Sequence, residues 1–153
     1  MQPSAMSEPG DLERERAALL AVHAQDRLAH MTTDARLILA HAADEFIYVG
    51  DGAITRQSRD DVARNFARIF DGAAYQEWDD LEPPIVRISA DASMAWMIVR
   101  VRVSRTKRDA EGREQPEHFV YAGIMTYEKR DGIWVRIVNV STFEPPALED
   151  VHE

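Results

Sequence analysis

The run MAWMIVRVRVSRTK, Met94 to Lys107, constrains this chain more than any other stretch. Ala95, Met97, Val99, Val101 and Val103 share one parity, and side chains of one parity share one face of a strand. That face is unbroken apolar surface, which has to be buried against helices or a partner sheet. The opposite parity, Trp96, Ile98, Arg100 and Arg102, mixes apolar with charged residues. A long strand needs partners, and the flanking sequence supplies them. The turn Asp109-Ala110-Glu111-Gly112 leads into a predicted strand from Glu117 to Lys129. Asp131-Gly132 is a tight hairpin signal, and Ile133 to Phe143 is the last strand. Upstream, the strands Ala74 to Leu81 and Ile85 to Ser89 flank the break at Glu82-Pro83-Pro84. The second half of the chain is an antiparallel meander.

The first half reads as helical. Asp11 to Met31 has no Pro or Gly and is rich in Ala, Leu, Glu and Arg. A second helix is predicted from Thr33 to Ala43, capped by Thr32 or Thr33, with Leu37, Ile38 and His41 at helical spacing. EFIYVGDGAITR reads as a β-hairpin in which Asp51 is a turn residue. Ser58 with Asp61 resembles a capping box for a third helix, whose Val62, Phe66, Ile69 and Phe70 form an apolar stripe ending at Gly72. Residues 1–10 read as a disordered leader, 11–144 as a single domain, and 145–153 as an acidic tail. Helices followed by a meander define an α+β domain, with three N-terminal helices packed on one face of a mainly antiparallel sheet.

Composition narrows the partners. A chain of 153 residues with 45% hydrophobic residues suits one domain with a real core. With no cysteine there are no disulfides and no thiolate metal sites, so a reducing cytoplasm is expected. The start, MQPSAMSEPGDLERER, has no apolar signal core, and no run reaches membrane-spanning length. A net charge of −9 argues against a nucleic-acid backbone as partner. RTKRDAEGRE reads as a solvated hairpin tip and SRDDVARNFARIF as a helix packed on the core. There is no Gly-rich phosphate loop and no G-x-S-x-G nucleophile.

The chemistry starts on the first helix. Leu12, Leu19, His23, Asp26 and His30 fall along one stripe, which turns polar halfway. That half faces water, a polar cavity or a metal. His23 and His30 are two turns apart, about 10 Å by helical rise, so they do not ligate one ion, and no metal is expected. His23 and Asp26 at i, i+3 can form a general base with its orienting acid, or simply a hydrogen-bonded lining.

Three features resemble the nuclear transport factor 2-like superfamily, which includes ketosteroid isomerases and SnoaL-like polyketide cyclases. They are ADEFIYVGDGAITRQSRDDV, the closing hairpin TYEKRDGIWVRIVNVST, and the length of the first helix. The resemblance covers residues 12 to 144. It implies a cone-shaped fold with a pocket between curved sheet and first helix, no cofactor, and a homodimer through the convex sheet face. It places His23, Asp26 and His30 on a pocket wall, while Tyr48, Phe66, Phe70, Trp78 and Trp96 read as core or wall aromatics. The inward parity it implies is Trp96, Ile98, Arg100 and Arg102 on one strand. On the next it is Tyr121, Gly123, Met125 and Tyr127, and on the last Ile137, Asn139 and Ser141. Arg100 then lines the pocket, with Arg102 nearer its mouth. The apolar-face reading instead leaves both arginines in solvent, and the two readings stay open here.

An inward Arg100 with Tyr121, Asn139 and His23 would suit an acidic or enolisable polar ligand, or would only pair with Asp26 to organise the pocket. Ketosteroid isomerase activity is not expected. The base position falls on Val49, or with a one-residue slip on Tyr48 or Gly50. The protonated-acid position falls near Met125 and the helix-one tyrosine near His23. Two functions follow. One is a small-molecule pocket protein, an isomerase, cyclase or hydrolase, in which His23 and Asp26 move a proton while Arg100, Tyr121 and Asn139 hold an oxyanion. The other is a noncatalytic ligand-binding or dimerisation module.

Overall fold

A computed structural model of the protein describes residues 9–145. The first helix, α1, runs Pro9–Thr32, so Pro9 and Gly10 open a helix rather than close a leader. The expected leader and acidic tail otherwise lie outside the described residues. After α1 come α2 (Ala35–Leu39), β1 (Ala42–Gly50), β2 (Ala53–Ser58) and α3 (Arg59–Phe70). The remaining strands are β3 (Ala73–Asp80), β4 (Ile85–Ile88), β5 (Met94–Arg108), β6 (Glu114–Arg130) and β7 (Ile133–Phe143). They form one open curved sheet in the order β2-β1-β7-β6-β5-β3. β1 runs parallel to β7, and the other pairs are antiparallel. β4 and β3 lie end to end along β5, with the Pro83-Pro84 break between them. The architecture is the expected α+β.

The second helix is shorter than its predicted span. Asp34, not Thr32 or Thr33, caps α2 by accepting from the Arg36 N–H, and Thr33 itself is left-handed at φ 50°. Residues Ala42 and Ala43 belong to β1, where Ala42 pairs with Arg136 of β7. Helix propensity over so few residues is weak, and strand pairing with burial of Ala43 wins. The third helix has the expected Ser58–Asp61 capping box.

The core decides the parity of β5. Met97, Val99, Val101 and Val103 are at most 2% exposed, and they pack with Leu19 and Val22 of α1 and with Trp78 and Trp134. Arg100 and Arg102 therefore lie on the outer face, 47% and 56% exposed, each 3.8 Å from an acid, Glu82 and Glu77 respectively. The expectation that Arg100 and Trp96 line a pocket is corrected. Putting that parity inside would strip two guanidinium groups of water and expose five apolar side chains. The inward parity on β6 is the one expected, because Tyr121, Gly123 and Met125 stand opposite Val101, Val99 and Met97.

Two strands depart from plain alternation. Gln76 is an extra residue in β3, since Tyr75 pairs with Arg105 and Glu77 with Ser104. Ile137 is an extra residue in β7, since Arg136 pairs with Tyr127 and Val138 with Thr126. Each bulge lets residues of opposite sequence parity share the inner face. Tyr75 thus sits beside Trp78 and Asp80, and Arg136 beside Asn139. No described helix is long and apolar enough to cross a membrane.

Candidate functional site

The concave face of the sheet and the three helices enclose a cavity with two adjoining lobes of about 340 and 300 Å³. α1 sends His23, Asp26 and His30 into the wall of the smaller lobe. Trp78, Tyr121, Met125, Asn139 and Ser141 line the same lobe.

His23 is 5% exposed, and its Nε2 lies 2.7 Å from Asp80 Oδ1. A carboxylate only accepts, so Nε2 carries a hydrogen, and in the neutral ring Nδ1 is the nitrogen with the lone pair. Nδ1 is buried with no partner among the described residues. The expected orienting acid is thereby corrected: Asp80 of β3, not Asp26, holds His23. Asp26 turns instead to Arg136, whose Nη2 donates to Asp26 Oδ2 and, at 3.1 Å, to the Tyr127 hydroxyl. An i, i+3 contact along the helix is sterically open, but two inward strand residues, Asp80 in regular alternation with Trp78 and Arg136 beside the β7 bulge, compete for these side chains. An arginine–Asp26 pair does organise the cavity floor, and the arginine is Arg136.

Burial opposes the charge on Arg136, but the Asp26 carboxylate and Tyr127 more than offset it, so its pKa is raised and the guanidinium stays charged. Burial pushes the phenols of Tyr121 and Tyr127 up, keeping both protonated and able to donate. Arg105 closes the other end of this lobe. It donates to Glu117 at 2.8 Å and to the Tyr75 hydroxyl at 2.8 Å, and its guanidinium lies 5.2 Å from the Phe119 ring centre.

His30 donates from Nδ1 to the Asp26 carbonyl at 2.6 Å. Its ring stacks on Trp78 at 4.9 Å and meets the edges of Phe66, Phe70 and Tyr75. Burial in this cage lowers its pKa from the ordinary 6.5, outweighing the Asp26 carbonyl and charge. Folded His30 therefore binds its proton less tightly than the unfolded chain does. The stability it contributes is full above 6.5 and is lost as pH falls through the folded value. The melting temperature of wild type should fall between about pH 7 and pH 5 more steeply than that of His30→Gln. Calorimetry in matched buffers measures this, and parallel curves would remove His30 as the source.

Of the residues expected at the site, His23, Asp26, His30, Tyr48, Trp78, Tyr121, Asn139 and Ser141 line the cavity, while Trp96 and Arg100 do not. Sequence reasoning missed Asp80 and Arg136 as the partners of α1. It also missed Arg105, although extending the apolar parity of β5 by one step beyond Val103 lands on it.

Neither protein-family models nor curated protein sequences give a match to this chain. Solved structures do match its fold. A candidate calcium/calmodulin-dependent kinase II association domain from Exiguobacterium sibiricum superposes with a TM-score of 0.69 at 13% identity, covering 96% of this chain and 99% of that one. A ketosteroid isomerase-like protein from Erwinia carotovora atroseptica gives 0.64 at 16% identity, covering 85% and 96%. A nuclear transport factor 2-like protein with a cystatin-like fold from Novosphingobium aromaticivorans gives 0.65 at 16% identity, covering 90% and 87%. The fold is the nuclear transport factor 2-like one. It is a fold that includes ketosteroid isomerase-like proteins, and at these identities the likeness concerns architecture alone.

Proposed function

We propose that the cavity binds a small polar molecule and that His23 moves a proton on it, as a cofactor-independent isomerase, cyclase or hydrolase. The observation that carries this is the state of the His23 ring. His23 lines the cavity with one ring nitrogen tied to the Asp80 carboxylate and the other without a partner among the described residues, the arrangement of a base with its orienting group. Tyr121 and Asn139 supply neutral donors for a developing oxyanion. An acidic ligand, attractive while Arg100 was a candidate wall residue, loses its support. Arg136 and Arg105 each already face a carboxylate. The lack of cysteine fits work in the cytoplasm.

A thermal-shift screen of ketones, enols and small acids tests the reading. A ligand at a hundred times its dissociation constant adds about 2.7 kcal/mol. Turnover of a hit should fall by about 10²–10⁴-fold in His23→Gln, with binding retained. Turnover unchanged by that substitution would sink the proton-transfer role.

A second reading, a noncatalytic association module, rests on the outer sheet face. Ile47, Ile98, Val120, Ile124, Val138 and Val140 place half-buried apolar side chains there, opposite the helices. This face is the proposed homodimer surface. Some structures of this fold are named as candidate association domains.

A further inference from the structure

The larger lobe has no part in the proton transfer at His23, yet it adjoins that site directly. The two lobes share Ile38, Tyr48, Phe66, Ile69, Arg136 and Asn139 in their walls. A molecule reaching from one lobe to the other passes Arg136. The lobes differ chemically. The one beside His23 is faced by aromatic rings, Trp78, Tyr121 and Phe119 among them. The other is apolar, through Phe46 and Val62, with two amides at its edge, Gln57 and Asn65. Asn65 Oδ1 accepts from Arg68 at 2.7 Å, which leaves its NH2 group for the cavity.

At the waist, Arg136 spends Nη2 on Asp26 and Tyr127, while its Nε–H is buried with no acceptor among the described residues. That Nε has no surface open to the cavity, so an occupant of the waist meets the charges of the Arg136–Asp26 pair rather than a free donor. The occupant's charge matters. The Arg136–Asp26 pair is already neutral as a unit, with both side chains at most 10% exposed. A carboxylate brought there would meet the Asp26 charge in a medium of low dielectric, whereas a carbonyl oxygen would strand no charge.

We infer that the two lobes are one two-ended site for an elongated, uncharged molecule. Its uncharged middle passes the Arg136–Asp26 pair, one end lies among the aromatic rings, and the other lies in the amide-edged lobe. The inference rests on the reading of the cavity as a small-molecule site, and it is independent of what His23 does to the occupant.

N-methyl-, N-butyl- and N-octylbenzamide, titrated calorimetrically, test it, with 4-butylbenzoate as the charged counterpart. In wild type, affinity should rise by about fourfold per added methylene, as for apolar burial. Asn65→Trp should fill the amide-edged lobe from α3, and Gln57→Trp from β2. Whichever variant keeps a cooperative melt should bind N-methylbenzamide within about twofold of wild type and N-octylbenzamide at least about tenfold more weakly. The benzoate should bind at least about tenfold more weakly than N-butylbenzamide. The same chain-length dependence in wild type and blocked variants would overturn the two-ended site. A benzoate that binds more tightly would overturn the uncharged occupant. If wild type binds no benzamide while a screening hit turns over through His23, the inference falls and the proposed function stands. If no small molecule binds, both fall.

Discussion

Arg136→Met should lower the free energy of unfolding by about 3–5 kcal/mol, the cost of stripping one partner from a buried ion pair. The Asp26 side chain is 7% exposed and has Arg136 as its charged partner, so methionine leaves a carboxylate facing an apolar floor. The Tyr127 hydroxyl loses its donor in the same step. Asp26→Leu combined with Arg136→Met should recover most of that loss, because two apolar side chains of similar volume strand nothing. Urea titrations of the four proteins of this cycle give the coupling directly. A single-variant loss under about 1 kcal/mol would mean that water reaches Asp26 and that the floor is not sealed.

Trp78→Ala should cost a similar amount, about 3–5 kcal/mol, through lost burial and the cavity left behind. Trp78 is 4% exposed and belongs to the main core cluster. It also stacks on His30 and tilts against His23 at 5.3 Å between ring centres. Its removal should therefore move a second observable. With one wall of the aromatic cage gone, the His30 pKa should rise back toward 6.5, read from the imidazole proton shifts across a pH series. Trp78→Phe should keep much of the stability and part of the pKa depression. A large stability loss with an unmoved His30 titration would assign its burial to Phe66, Phe70 and Tyr75 instead.

The strands and α3 were legible because their signals are local. Period-two alternation fixes Met94 to Lys107 as a strand, and Ser58 with Asp61 marks a helix start whatever surrounds it. α2 was overestimated because its end is set by pairing with β7, a long-range event with no local signature. The site was half legible. The polar stretch of the α1 stripe pointed to His23, Asp26 and His30, and the parity of β6 pointed to Tyr121. Of their partners, Asp80 shares the parity of Trp78, whereas Arg136 is hidden by a bulge. In WVRIVNVS, strict alternation from Asn139 sends Arg136 outward, and nothing in those letters marks Ile137 as an extra residue. Arg100 stays between two readings in the sequence for another reason. The resemblance favoured its parity over the apolar one, and desolvation of two guanidinium groups decides against it.

The bulges also determine where this sheet tolerates a change of chain length. Loss of Ile137 would leave Arg136 and Asn139 in regular alternation on the same inner side, altering curvature and little else. Loss of Gln76 would do the same for Tyr75 and Trp78. Loss of Thr126, in an unbulged part of β6, would turn either Met125 or Tyr127 to the outside and carry every residue beyond it along. Relatives that differ by one residue in these strands can therefore keep the same cavity lining if the difference falls at a bulge.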